Sequence, residues 1–208
     1  RALGADVLCT PVSSNSMIGQ MDCFATIQRT RIGSPFVIAA MEDLLDEDAQ
    51  TKVAGYEANG GFLLGFAADA PTGPLAPLMT RDCLLPVLAP LAAARAAGQS
   101  IAQAAAALPP CFTAADRLQG IEQDRSGPFL AHLKQDAAAR AAFFDTMPAE
   151  QEVDHTDGLR VTFEGGAVVH LRPSGNAPEF RCYTEATSPQ AAQSLLHTHL
   201  NALRDRLG

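Results

Sequence analysis

Ala167-Val168-Val169-His170-Leu171 and Phe180-Arg181-Cys182-Tyr183-Thr184 are two strand-like runs enclosing Arg172-Pro173-Ser174-Gly175-Asn176-Ala177-Pro178. β-Branched and aromatic residues favour extended backbone, whereas proline, glycine and asparagine favour a turn. The whole stretch therefore predicts an antiparallel hairpin. Its loop holds an arginine fork, a serine hydroxyl and free backbone N–H groups in a small space, a set that suits a phosphate. Proline at both ends restricts the loop, so less entropy is lost when an anion docks. The other reading is an ordinary hairpin turn whose arginine faces water.

Working outward, residues 159–163 form a third strand candidate, joined to the first by the tight Gly165-Gly166 turn. Ser188-Pro189 is an N-cap followed by proline at N1. The helix that follows places Ala192, Leu195, Leu196, His199, Leu200, Leu203 and Leu207 on one face. Upstream, 128–147 reads as one helix with Phe129, Leu130, Leu133, Ala137, Phe143 and Phe144 as its apolar side. Helices beside three antiparallel strands predict a small α+β domain.

The first half has a different rhythm. Residues 7–13 read as a strand, and Ser13-Ser14-Asn15-Ser16 can cap a helix beginning near Met17. Residues 24–30 form the next strand candidate, and Pro35 opens a helix with Phe36, Val37, Ala40, Met41, Leu44 and Leu45 on one face. Strand candidates 52–56 and 62–66 follow, joined by Glu57-Ala58-Asn59-Gly60-Gly61. Strand–helix–strand alternation predicts an α/β unit with partly parallel strands. Residues 69–80 read as an exposed loop; a helix is expected over 81–97, and Ser100 caps a second one that Pro109-Pro110 ends. The expected organisation is an α/β domain over 1–118, a mixed sheet flanked by helices. A smaller α+β domain with an antiparallel sheet follows over 119–208. The chain opens at Arg1 without a methionine, in what reads as the end of a helix, as a piece of a longer protein would.

Composition narrows the function. A net charge of −8 with no lysine or arginine cluster argues against a nucleic-acid surface. An anionic substrate must then meet a local positive pocket. Thirteen of the fifteen basic residues are arginine, which fits bidentate anion recognition and equally a GC-rich genome. Five scattered cysteines without C-x-x-C spacing read as reduced thiols of a cytoplasmic protein, with no metal site. The longest apolar stretch, 84–94, is broken by Pro86 and Pro90 and is too short to span a bilayer, so no membrane association is expected. His197 and His199 lie two apart on a helix and make a poor metal pair.

The second loop, Gly55-Tyr56-Glu57-Ala58-Asn59-Gly60-Gly61, sets a carboxylate and a carboxamide two residues apart on a glycine-flanked turn. They offer acceptors and donors spaced for adjacent sugar hydroxyls. Asn-Gly is also a plain hairpin signal.

Together the two loops resemble those of the α-D-phosphohexomutases. G-Y-E-A-N-G-G is similar to that family's third-domain sugar loop, G-x-E-x-[SN]-G, and R-P-S-G-N-A-P to its fourth-domain phosphate loop, R-P-S-G-T-E-P. Thr10 to Ser14 (T-x-x-S-S), Arg29 to Gly33 (R-T-x-x-G) and Arg81-Asp82 follow the same order. The nearest members are phosphomannomutases. The resemblance implies that Glu57, Asn59 and Gly60 bind sugar hydroxyls, and that Arg172, Ser174, Gly175 and Asn176 hold the substrate's non-reacting phosphate. Arg31 matches a region where members place a basic residue near substrate. Asn176 stands where threonine is usual and Ala177 where glutamate is usual, which touches fine substrate preference.

The T-A-S-H-N-P type phosphoserine loop and the D-G-D-x-D-R type metal loop do not occur in these 208 residues. The resemblance therefore implies the C-terminal half of the enzyme, its third and fourth domains, with no catalytic residue of its own. Mg²⁺ would be bound by the missing N-terminal half. The intact isomerase would pass phosphate from phosphoserine to a hexose phosphate of mannose or glucose, forming a bisphosphate that returns the other phosphate. Two alternatives stand beside this. One is a free-standing, non-catalytic sugar-phosphate-binding protein, which the gene sequence upstream of Arg1 would separate. The other is the phosphoglucosamine mutase branch, which the E-A-N-G-G loop fits less well.

Overall fold

A computed structural model describes residues 3–70 and 73–208, and the chain divides into two units, Arg1–Pro109 and Pro110–Gly208. The expected helix end at Arg1 and Ala2 lies outside the described residues.

The first unit runs β1 (Val7–Pro11), β2 (Thr26–Thr30), α1 (Ser34–Glu47), β3 (Val53–Tyr56), β4 (Phe62–Leu64), β5 (Ala68–Ala70), β6 (Gly73–Leu75), β7 (Leu78–Asp82), α2 (Leu85–Ala96) and α3 (Ile101–Ala106). Five strands make a mixed sheet in the order β2-β1-β3-β4-β7. β1 is parallel to β2 and β3, and β4 is antiparallel to β3 and β7. Val37, Ala40 and Met41, at helical spacing on α1, pack against Cys9, Val53 and Leu63. This approach requires Gly55, where a Cβ would stand 2.7 Å from both Met41 Sδ and Val37 Cγ1. The carboxyl ends of the parallel strands lie on one edge, so Arg31 and Glu57 follow directly from the ends of β2 and β3, the two strands that flank β1.

Three expectations are corrected here. The helix near Met17 is a five-residue 3-10 turn, Ser16–Gln20, in which the Met17 N–H donates to the Asn15 side chain. Residues 69–80 are not one exposed loop: β5 and β6 pair, and β7 joins the sheet, while Pro71 and Thr72 lie outside the described residues. The helix expected from residue 81 begins only at Leu85, because Thr80 to Asp82 remain in β7 and the Asp82 carboxylate accepts from the Leu84 and Leu85 N–H groups.

The second unit runs β8 (Phe112–Gln119), α4 (Gln123–Gln135), α5 (Ala137–Phe143), β9 (Glu150–Asp154), β10 (Leu159–Phe163), β11 (Val168–Pro173), β12 (Glu179–Ala186) and α6 (Pro189–Leu207). Its sheet has the order β8-β12-β11-β10-β9 and is antiparallel throughout. Strand alternation sorts the faces. Leu159, Val161, Phe163, Val169, Leu171, Phe180 and Cys182 face α4, α5 and α6, whose Leu130, Leu133, Phe144, Leu196, Leu200 and Leu203 complete the core. The intervening residues, among them Arg160, His170, Arg181 and Tyr183, occupy the other face. β8 and β9 were not anticipated. The helix expected over 128–147 is two helices, broken where Asp136 turns extended and accepts from the Ala138 and Ala139 N–H groups. β8 pairs with β12 along its length, so it belongs wholly to the second unit.

Candidate functional site: two polar loops

In the second unit the Arg172 loop connects β11 to β12. Arg172 sits opposite Arg181, and Ser174 N donates to the Glu179 carbonyl (2.8 Å) to close the hairpin. Inside it, Asn176 N lies 3.4 Å from Ser174 Oγ, and the Gly175 and Ala177 N–H groups have no partner among the described residues. Residues Gly175 to Pro178 are exposed. The Arg172 guanidinium donates through Nε to Asp157 Oδ1 at 2.8 Å, each side chain being 16% exposed. Opposite it, Arg181 is tied to Glu179, which also binds Arg117 at 2.8 Å. Glu179 thereby balances two arginines beside the loop, and Arg172, Ser174, Gly175 and Asn176 stay together at one sheet end. A pocket of about 460 Å³ lies along β8 and the end of α6, lined by Asp116, Arg117 and Arg204.

His170, two residues before Arg172, is 2% exposed, and its ring stacks on Tyr183 with centroids 5.3 Å apart. Burial, the largest influence, lowers its pKa; the Asp157 carbonyl, 2.6 Å from Nε2, acts the other way. A carbonyl only accepts, so Nε2 carries the proton. Nδ1 is buried and without a partner.

In the first unit the Glu57 loop joins β3 to β4. Glu57 N donates to the Gly61 carbonyl, Gly60 N to the Glu57 carbonyl, and Gly61 N to Asn59 Oδ1. Gly60 takes φ +89°, a conformation that glycine adopts at little cost. The structure does not point Glu57 and Asn59 into one cavity. Glu57, 7% exposed, lines an apolar pocket of about 300 Å³ with Tyr56, Phe62, Leu85 and Pro86, and its Oε2 has no partner. Asn59 lines a neighbouring cleft of about 350 Å³ with Arg81, Asp82 and Cys83. The two spaces share Gly60 and Gly61.

Behind the loop, Thr10 Oγ1 lies 3.0 Å from the Tyr56 carbonyl and 2.7 Å from Ser14 Oγ. The carbonyl takes the threonine proton, so Ser14 is the donor in the second bond. Arg29 Nη1 donates to the Ser14 carbonyl at 3.1 Å. The T-x-x-S-S and R-T-x-x-G stretches thus brace the strand ends. Arg31 is exposed, its guanidinium 5.1 Å from the centre of the Phe36 ring. Asp157, and Arg81 as a cleft residue, escaped the sequence reading. Asp157 carried the signal of a turn, in Thr156-Asp157-Gly158, and nothing of its reach.

Residues 124–201 match the family model described as phosphoglucomutase/phosphomannomutase, C-terminal domain. A phosphomannomutase of Sinorhizobium fredii is 40% identical over 207 residues, covering 100% of this chain and 43% of the relative. A phosphoglucomutase/phosphomannomutase family protein from Burkholderia thailandensis has a similar structure, with TM-score 0.66 at 17% identity over 97% of this chain and 38% of that one. Aspergillus fumigatus N-acetylphosphoglucosamine mutase, solved in complex with GlcNAc-6P and magnesium, gives TM-score 0.62 at 15% identity, over 98% and 39%. At these identities the two structures speak for the fold. The chain spans less than half the length of each of these three proteins. Sequence relative, family model and fold agree: residues 124–201 match the phosphoglucomutase/phosphomannomutase C-terminal domain, and the whole chain is similar to less than half of a phosphomannomutase.

Proposed function

We propose that this chain is the substrate-binding part of a phosphomannomutase-like enzyme that interconverts hexose 6-phosphate and hexose 1-phosphate through a phosphoserine and a bisphosphate intermediate. The observation that carries this reading is the Arg172 guanidinium, held at Nε beside a loop with unpartnered N–H groups. Arg172, Ser174, Gly175 and Asn176 hold the non-reacting phosphate, because a fork and backbone N–H groups match its oxygens. Glu57, Asn59 and Gly60 meet the sugar. The buried, unpartnered Glu57 Oε2 supports this, since a sugar hydroxyl would give it the donor it lacks. Arg31 is a lesser candidate contact.

These residues bind and orient; they do not transfer the phosphoryl group. That step needs a phosphoserine and Mg²⁺ to neutralise developing charge. Among the described residues there is no group of three or more His, Cys, Asp or Glu that could hold a metal. In this reading magnesium and the phosphoserine belong to an N-terminal half of the same enzyme, and this chain alone binds hexose phosphates without turning them over. The five free thiols support a reducing compartment such as the cytoplasm, and no described helix is long and apolar enough to cross a membrane.

Calorimetry with mannose 6-phosphate tests the reading. Arg172→Ala should weaken binding about tenfold or more, the usual cost of losing charged hydrogen bonds. Glu57→Ala should weaken mannose 6-phosphate while leaving inorganic phosphate nearly unchanged. Parental affinity in Arg172→Ala overturns the assignment.

A further inference from the structure

We propose that Asp157 is the positioning residue of the Arg172 site, fixing the direction of the guanidinium before any anion arrives; the inference rests on the phosphate reading above. Asp157 lies outside the loop, in the turn between β9 and β10. β10 is the strand beside β11, with Leu159 paired to Leu171, so the turn reaches Arg172 across a single strand pairing.

Two further contacts fix that reach. His170 Nε2 donates to the Asp157 carbonyl at 2.6 Å, and Asp157 Oδ1 accepts from Arg172 Nε at 2.8 Å. The residue between turn and strand, Gly158, has φ +82°. A Cβ there would collide with the Leu171 carbonyl oxygen and stand 3.1 Å from Arg172 Cβ. Only glycine lets the turn come this close. The buried imidazole thus anchors the turn's backbone while the turn's carboxylate holds the arginine.

The chemistry favours orientation over attraction. A carboxylate beside a phosphate site repels the ligand, so its charge alone would weaken binding. Its hydrogen bond to Nε leaves the Nη1 and Nη2 end of the fork as a parallel donor pair, and those groups have no partner among the described residues. Holding the fork beforehand removes part of the ordering entropy that binding would otherwise cost.

Two variants separate the effects, because both remove the charge and only one keeps an acceptor. Asp157→Asn retains an Oδ1 for Nε; Asp157→Ala does not. Calorimetry of the 208-residue chain with mannose 6-phosphate should show Asp157→Ala about tenfold weaker and Asp157→Asn within about threefold of the parent. The Arg172 Nε–H NMR signal should stay protected from exchange in the parent and in Asp157→Asn, and lose protection in Asp157→Ala. Thermal melts establish that both variants are folded. Asp157→Ala binding as tightly as the parent, or both variants weakened equally, overturns the proposal. If Arg172→Ala is itself without effect, the phosphate reading falls and this inference with it. A failure confined to Asp157 looks different: Arg172→Ala binds weakly and Asp157→Ala does not.

Discussion

The two units solve the same problem, a polar loop between two antiparallel strands, on very different foundations. In the second unit, sixteen buried apolar residues form one cluster under the sheet, with edge-on aromatic contacts joining Phe129, Phe143, Phe144, Phe163 and Phe180. In the first, six buried residues lie between α1 and one face of the sheet. Its α2 leaves Val87, Leu88 and Leu91 between 48% and 58% exposed and buries only Ala94. The Arg172 loop is therefore rooted in strands that pack on the larger core, whereas the Glu57 loop, also rooted in buried strands, borders an apolar pocket and a cleft lined by Arg81 and Asp82. Preorganisation of a binding loop is inherited from the packing beneath it.

The largest expected effect breaks or confirms this contrast directly. Phe163→Ala should cost about 3–5 kcal/mol in a denaturant titration, as truncation of a buried aromatic does. Leu91→Ala, on the exposed side of α2, should stay within about 0.5 kcal/mol. Similar losses in the two variants would mean that α2 is packed as well as the second core. Gly55→Ala sharpens the picture within the first unit: overpacking against Val37 and Met41 should cost about 1–3 kcal/mol. Gly175→Ala serves as its counterpart, since a Cβ there meets nothing within 4 Å and stability should hold.

The gentlest probe is pH. All five histidines lie in the second unit. Burial lowers the pKa of His170 and of His199 below the ordinary 6.5, so each is kept neutral by the fold. Unfolding then takes up protons below 6.5, so the stability these groups contribute is full above that pH and is lost as pH falls toward their folded values. Scanning calorimetry at pH 7 and pH 5 should show the second unit's transition moving down, and the histidine-free first unit's moving less. Equal shifts in the two transitions would count against the buried, neutral histidines.

What was legible in the sequence follows the same division. Val168 to Leu171 and Phe180 to Thr184 carry β-branched and aromatic residues, and the hairpin they form was readable from them. β8 was not, because Thr113-Ala114-Ala115-Asp116-Arg117 has little strand character of its own; its extension comes from pairing with β12. The break at Asp136 carries its own sequence signal, a capping carboxylate before an alanine run. The loop residues themselves could be named from spacing and resemblance. Where their side chains point could not. Glu57 and Asn59 part company because Asn59 closes its own turn onto Gly61 N, and Asp157 meets Arg172 only through strand register.

The pairing of β8 has a mechanical consequence. The strand begins at the boundary between the units, and its first residue, Phe112, is paired with Ala186 at the end of β12 remote from the Arg172 loop; the rung nearest the loop, Gln119 with Glu179, comes last. Force entering β8 at its first residue loads the Phe112–Ala186 rung first and the Gln119–Glu179 rung last. Strain entering through the connecting chain meets the far end of the ladder first, and the rung beside the Arg172 loop last.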